Sequence, residues 1–285
     1  MTARILVTGG DGLLGRELRI ALAAAGHDVV AVDAADFDVT DAEATTRAIV
    51  EEEPDAIVHA AAWTAVDDCE SDPDRAMAVN GLGALHVASA ARRVGARLML
   101  LSTDYVFDGE KAGPYDESDP VGPLSVYGRS KLFGERLASG ACPGMTIVRT
   151  QSLFGRGGPN FVESILGAVA AGRPLRVVAD QRSCPTYAPH LATQIVRILD
   201  GSGEGLYHVS ARGECSWYGL ARAILDESGR ADVPVEPIGS AALDRPAPRP
   251  RNAVLRNMHL ELTIGDGMPP WQDGLRAYLA ERKDA

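Results

Sequence analysis

Three glycines placed between a short apolar run and a helical pattern narrow the possible folds of this chain more than any other feature. Arg4-Ile5-Leu6-Val7-Thr8 is followed at once by Gly9-Gly10-Asp11-Gly12-Leu13-Leu14-Gly15. Beyond the turn, Leu14, Leu18 and Leu22 recur at the spacing of one helix face, and Gly26 closes the pattern. Gly9, Gly12 and Gly15 therefore occupy a strand-to-helix turn, and Leu13 and Leu14 open the helix. Glycine permits the tight turn and lets the backbone approach a pyrophosphate, which the helix amino terminus holds electrostatically. His27–Asp33 reads as a second strand ending in an acid, 18 residues beyond Gly15, where a carboxylate meets an adenine ribose. Such a strand–helix–strand unit binds a dinucleotide.

The alternation continues through the first half of the chain. Thr40-Asp41-Ala42-Glu43 has the form of a capping box for a helix running to about Glu52. Ala56–His59 is the next strand, and Asp72-Pro73 starts a long helix with a capping carboxylate and proline in its first turn. Thr146–Arg149 is a further strand. Strands and helices in this order imply parallel pairing with right-handed crossovers. From about residue 151 the pattern loosens into short strands, such as Leu175–Val178 and Leu206–Val209, mixed with helices near Phe161–Ala171, Leu191–Leu199 and Trp217–Glu227. The expected fold class is α/β: a Rossmann-type doubly wound parallel sheet over residues 1–150, and a smaller C-terminal mixed α/β substrate lobe over 151–285 whose chain can cross back into the sheet.

Two further segments carry chemistry. In Ser125-Val126-Tyr127-Gly128-Arg129-Ser130-Lys131, a phenol and an ammonium stand four residues apart, on one face of a helix. A neighbouring ammonium favours the phenolate and brings a tyrosine down from its usual value near pH 10, yielding a general acid that can protonate a carbonyl oxygen. Leu98–Phe107 is a buried strand whose carboxyl end carries Ser102 and Thr103, at the edge where ligands of doubly wound sheets bind. The Thr103 hydroxyl can bond a substrate carbonyl there, or cap the turn.

These residues and several others match a family pattern. The chain resembles the extended short-chain dehydrogenase/reductases, and within them the dTDP-4-dehydrorhamnose reductases. The likeness runs nearly end to end, through Ala60-Ala61-Ala62-Trp63-Thr64-Ala65-Val66-Asp67, Asn80, Ser102–Phe107, Tyr127–Lys131, Val148-Arg149-Thr150, Asp180-Gln181, Pro185-Thr186, Gly205–His208 and Arg249-Pro250. It implies that Thr103, Tyr127 and Lys131 are catalytic and that Lys131 also holds the nicotinamide ribose of NADPH or NADH. Asp33, Asp38, Val39, Ala60, Ala61 and Ala62 would join the glycine turn around the cofactor. Thr64, Val66, Asp104, Tyr105, Gln151, Ser152, Arg182 and Arg249 would face a dTDP-4-dehydro-6-deoxysugar, whose 4-keto group is reduced. Asp33 would repel a 2′-phosphate whereas the resemblance favours NADPH, so use of both cofactors is expected.

Rhamnose-forming members carry a tryptophan over the sugar in Arg-Thr-Ser-Trp, where this chain reads Arg149-Thr150-Gln151-Ser152, which leaves the sugar open. Some members hold magnesium between subunits. Glu17 matches one of their glutamates, but Pro189 falls where another would lie, so no metal is expected. Two other functions fit the same fold. A sugar 4,6-dehydratase or epimerase is one, although the Thr-Asp-Glu of dehydratases reads Thr103-Asp104-Tyr105 here. The other is a non-catalytic subunit like the regulatory partner of methionine adenosyltransferase.

Composition sets the remaining limits. The net charge of −11 argues against nucleic acid or an anionic membrane as partner, so arginines must reverse the field for an acidic nucleotide sugar. Arg182, Arg245, Arg249 and Arg251 are candidates. Four scattered cysteines without a Cys-x-x-Cys pair read as reduced thiols. A first strand at Arg4 leaves no room for a targeting segment, and no apolar run nears the roughly 20 residues that span a bilayer. A cytoplasmic monomer or homodimer is expected.

Overall fold

In the computed structural model, which describes residues 2–201 and 203–283, six parallel strands form the central sheet. Five of them are β1 (Arg4–Thr8), β2 (Asp28–Val32), β3 (Ala56–His59), β4 (Arg97–Thr103) and β5 (Thr146–Thr150). The sixth, Gly205–His208, lies beside β5, and the spatial order from that edge is the sixth strand, β5, β4, β3, β1, β2. The order reverses at β1, which pairs with β2 on one side and β3 on the other. A crevice opens at such a reversal, beyond the carboxyl ends of the strands.

Alternate residues of each strand feed different layers. Ile5, Val7, Val58, Met99, Leu101 and Val148 pack against α1 (Leu13–Ala24) and the Ala188–Asp200 helix. Leu14, Leu18 and Leu22 are the apolar residues that α1 buries, as their spacing requires. On the opposite face, Leu6, Ile57, Leu98, Leu100 and Ile147 pack against α2 (Ala42–Glu52) and the Gly83–Val94 and Val126–Ala141 helices. A separate cluster, including Phe154, Val162, Ile165, Leu220, Ile224, Trp271 and Leu275, holds the C-terminal lobe together. The Ala188–Asp200 helix and the Gly205–His208 strand thus build the sheet layer although they follow the first lobe segments in sequence.

Two helix starts differ in detail from expectation. Asp41, not Thr40, caps α2: its carboxylate accepts from the Glu43 and Ala44 backbone N–H groups at 2.9 and 3.0 Å. Thr40 lies one residue too early for its side chain to do so. Asp72 caps the long helix by accepting from Arg75 N–H at 3.1 Å, but the helix widens into a π turn over Met77–Leu82 before continuing. That turn presents Asn80, whose side chain accepts from Trp63 N–H and donates to Trp63 O and Ser130 Oγ. One residue of an irregular helix turn thereby ties the Trp63 segment beyond β3 to the Val126–Ala141 helix, a use typical of π turns near functional sites.

Candidate active site

At Gly9 and Gly15 the glycine turn is held so tightly that a side chain is excluded. Gly9 has φ of +71°, and a Cβ there would lie 2.8 Å from Ala61 N. A Cβ on Gly15 would lie 2.0 Å from Gly9 O, so α1 starts in direct contact with the turn. No side chain caps the α1 amino terminus, which leaves it open to an anion. Gly9, Gly12, Leu13, Leu14 and Gly15 line one end of a cleft of about 860 Å³, together with Asp33, Asp38 and Val39. Ala60, Ala61 and Ala62 form its wall. Asp33 also shapes the turn, because its carboxylate accepts from Asp11 N–H at 2.7 Å and Ala34 N–H at 2.9 Å. These residues fit a dinucleotide: room for backbone approach to a pyrophosphate, an uncapped helix start and an acid near the ribose. Gly15→Ala is expected to abolish nicotinamide nucleotide binding, because its methyl would collide with Gly9 O. Fluorescence titration with NADPH checks this, and wild-type affinity in the variant would overturn it.

Thr103, Tyr127 and Lys131 meet at the other end of the cleft, all buried. Thr103 ends β4, Ser125 caps the Val126–Ala141 helix by accepting from Gly128 N–H, and Gly128 lets that helix touch the Tyr105 carbonyl. A Cβ at Gly128 would fall 2.2 Å from Tyr105 O. Thr103 Oγ1 donates to Asp104 Oδ1 at 2.9 Å and accepts from Tyr105 N–H at 3.2 Å. The same hydroxyl meets the Tyr127 phenol. Tyr105 and Tyr127 stack edge to face with ring centroids 5.5 Å apart.

The charge states differ from those expected of a plain Tyr–Lys pair. Burial is the largest influence on Tyr127 and pushes its phenol well above the usual value, with the Thr103 hydroxyl acting in the opposite direction. Lys131 reaches past it: Nζ donates to Leu101 O at 2.7 Å. Burial brings this ammonium down to about 8, opposed by the Glu135 carboxylate. Lys131 is not among the groups that shift the phenol, because a shared helix face does not fix where a long side chain ends. Asp104 is raised to about 7 by burial, against the bond from Thr103.

Beneath Lys131 lies an ion pair that the sequence pattern did not single out. Glu135 takes Arg149 with two hydrogen bonds, at 2.9 and 2.7 Å, and also accepts from Ser102 Oγ. Both charged side chains are only 5% exposed. Glu135 stands four residues after Lys131, so helix periodicity alone could have drawn it to the same face. Asn80 was visible only as part of a motif; its tethering role needed the π turn. His59 and His208 are packed: His59 Nδ1 lies 2.7 Å from Thr8 Oγ1, and burial brings both imidazoles down to about 3.

Of the residues expected to face substrate, Thr64, Val66, Asp104, Tyr105, Gln151 and Ser152 line the cleft. Arg249 stands behind them, paired with Asp67 at 2.7 and 2.8 Å and in reach of the Tyr105 phenol. This pairing stitches the Arg245–Arg251 loop to the Val66–Ser71 helix. Arg182 does not join the lining: it is half exposed and pairs with Glu214, since the antiparallel bridge between residues 182–183 and 215–216 aligns the two. Among the described residues no three His, Cys, Asp or Glu side chains group as metal ligands, and no helix is long and apolar enough to cross a membrane.

A parallel sheet reversing at a glycine turn, with Thr103, Tyr127 and Lys131 at its carboxyl edge, defines an extended short-chain dehydrogenase/reductase. The model of the family described as RmlD substrate binding domain matches residues 3–283, and the chain belongs to that family. It is 44% identical over 258 residues to a dTDP-4-dehydrorhamnose reductase of Streptomyces griseus, covering 88% of this chain and 85% of that one. Among solved structures, a dTDP-4-dehydrorhamnose reductase of Clostridium acetobutylicum superposes with a TM-score of 0.96 at 39% identity, over 98% of this chain and 99% of the other. The enzyme of that name from Bacillus anthracis, in complex with NADP, gives 0.95 at 35% identity, over 99% and 100%.

Proposed function

We propose that the protein reduces the 4-keto group of a dTDP-linked 6-deoxysugar at the expense of NADPH or NADH, the reaction for which its relatives are named. The observation that carries this reading is the meeting of Thr103 and Tyr127 at one end of a dinucleotide-sized cleft, with Lys131 one helix turn away. Thr103 Oγ1 turns its proton from Asp104 to the sugar carbonyl and so orients it, and Tyr127 gives its phenolic proton to the carbonyl oxygen. The Lys131 ammonium holds the nicotinamide ribose. A reduced nicotinamide nucleotide, when bound, supplies the hydride. Residues 151–285, apart from the sheet layer at 188–208, act as the substrate lobe, and the enzyme works in the cytoplasm as a monomer or homodimer.

A dehydratase needs a second carboxylate beside Asp104. Tyr105 stands there instead, packed edge-on against Tyr127. The product belongs to deoxysugar biosynthesis, and the polar Gln151-Ser152 pair leaves rhamnose as one of several possible alcohols.

Incubation of the purified protein with dTDP-4-dehydrorhamnose is expected to consume NADPH and NADH and to yield a C4 alcohol identifiable by NMR. Absence of turnover with every dTDP-4-ketosugar would overturn the reading. Because Asp33 presents a carboxylate where a 2′-phosphate would sit, kcat/KM for the two cofactors should agree within roughly a hundredfold, under about 3 kcal/mol. A larger preference for NADPH would show that Asp33 does not face the ribose.

A further inference from the structure

Among the described residues, Thr150 Oγ1 and Gln151 Nε2 are buried polar atoms without a hydrogen-bond partner, and both residues line the cleft. Thr150 ends β5 as the ladder partner of Thr103. Paired residues of neighbouring strands point to the same face, about 4.8 Å apart, so the two threonine side chains share one face at the reacting end.

The orientation of the Gln151 amide is fixed by its partners. Gln151 is 2% exposed, and its Oε1 accepts from Cys184 N–H and from Ser183 Oγ, each at 3.1 Å. A backbone N–H can only donate, so the amide oxygen faces Cys184 and the NH₂ group is left for something else. Ser183 spends its proton on Gln151; Ser152 Oγ, 2.5 Å away, therefore donates to Ser183. Ser152 itself holds φ of +45°, a left-handed conformation unusual for serine. The segment is thus braced to present one amide donor and one hydroxyl with no internal use. Buried groups of this kind weaken the folded protein unless a ligand satisfies them.

We propose that Thr150 Oγ1 and Gln151 Nε2 recognise the hydroxyl on the ring carbon next to the reacting carbonyl, so that these residues select ketosugars bearing a 3-hydroxyl. The proposal rests on the ketoreductase reading above, which puts the carbonyl oxygen at Thr103 and Tyr127. In a 4-keto-6-deoxyhexose, C5 carries the methyl group and the ring oxygen. The hydroxyl adjacent to the carbonyl is therefore the one on C3, one strand spacing along from Thr103. The Gln151 amide donates to this oxygen, and the Thr150 hydroxyl completes its hydrogen bonding. Discrimination thereby comes from paired polar groups in place of an apolar cover: a sugar lacking the hydroxyl leaves both unpaired.

The test is the ratio of kcat/KM for a dTDP-4-keto-6-deoxysugar to that for its 3-deoxy counterpart, a quantity independent of how much of a variant is folded. The wild-type ratio should be at least about tenfold. Thr150→Val and Gln151→Met should each bring it toward one. Thr150→Val should also melt no lower than wild type, since its hydroxyl has no internal partner to lose. A wild-type ratio near one, or a ratio that survives both substitutions, overturns the proposal; a lower melting point for Thr150→Val overturns the part given to Thr150. Should the wild type reduce neither sugar, the ketoreductase reading fails by itself. The ratio of Kd values for the two sugars, measured by calorimetry in wild type and variants, then decides the proposal in the same way.

Discussion

Tyr127→Phe is expected to lower kcat at least about a hundredfold, the usual contribution of a positioned general acid, while NADPH binds as before. The phenol is buried and held high, and the Thr103 hydroxyl is the neighbour that favours its ionised form. Removing only the oxygen leaves the ring in its edge contact with Tyr105, so the fold should be unaffected. Steady-state turnover of a dTDP-4-ketosugar, with parallel titration of NADPH binding, checks both halves. Unchanged turnover would remove Tyr127 from the chemistry. The Lys131 ammonium, held at about 8 by burial, makes a further demand. A depressed lysine is charged below its pKa, so kcat/KM for the cofactor, which reports the free enzyme, should fall as pH rises through about 8.

The second large effect concerns Glu135. Glu135→Gln leaves the Arg149 guanidinium buried without a counter-charge and close to Lys131. Breaking a buried pair from one side costs about 3–5 kcal/mol, because the remaining charge has lost its water and its partner. Urea denaturation of wild type and variant measures this, and a loss below about 1 kcal/mol would show that solvent reaches the pair. The same change has an electrostatic signature that mere destabilisation lacks. Glu135 opposes the effect of burial on Lys131, so its neutralisation should move the alkaline limb of the pH profile to lower pH.

Much of this was legible without coordinates, and the reason is local. The Gly9, Gly12 and Gly15 spacing and the Leu14–Leu18–Leu22 stripe each report a backbone or packing requirement met within a few residues. The Trp217–Glu227 helix and the Ala56–His59 strand fall where their side-chain periodicity puts them. Motifs reached further, bringing Thr103 and Tyr127 to one site although 24 residues separate them. Arg182 shows where that method stops. Its charge suggests an acidic substrate, yet the chain turns it toward Glu214, because the partner of a long side chain depends on segments distant in sequence.

What the sequence by itself determined is therefore the alternating strands and helices of the first half, their parallel pairing and the identity of the residues at the carboxyl edge, since these follow from periodicity, glycine geometry and side-chain chemistry. Only the tertiary structure decided what each of those residues is free to do. It turned Lys131 onto Leu101 O, placed Glu135 between Lys131 and Arg149, and used the π turn at Asn80 to hold the Trp63 segment. It also spent the oxygen of Gln151 on Cys184 while leaving its nitrogen unpaired. Hydrogen bonds and ion pairs are satisfied between whichever groups packing brings within about 3 Å, and in this protein those groups come from strands and helices that are far apart along the chain.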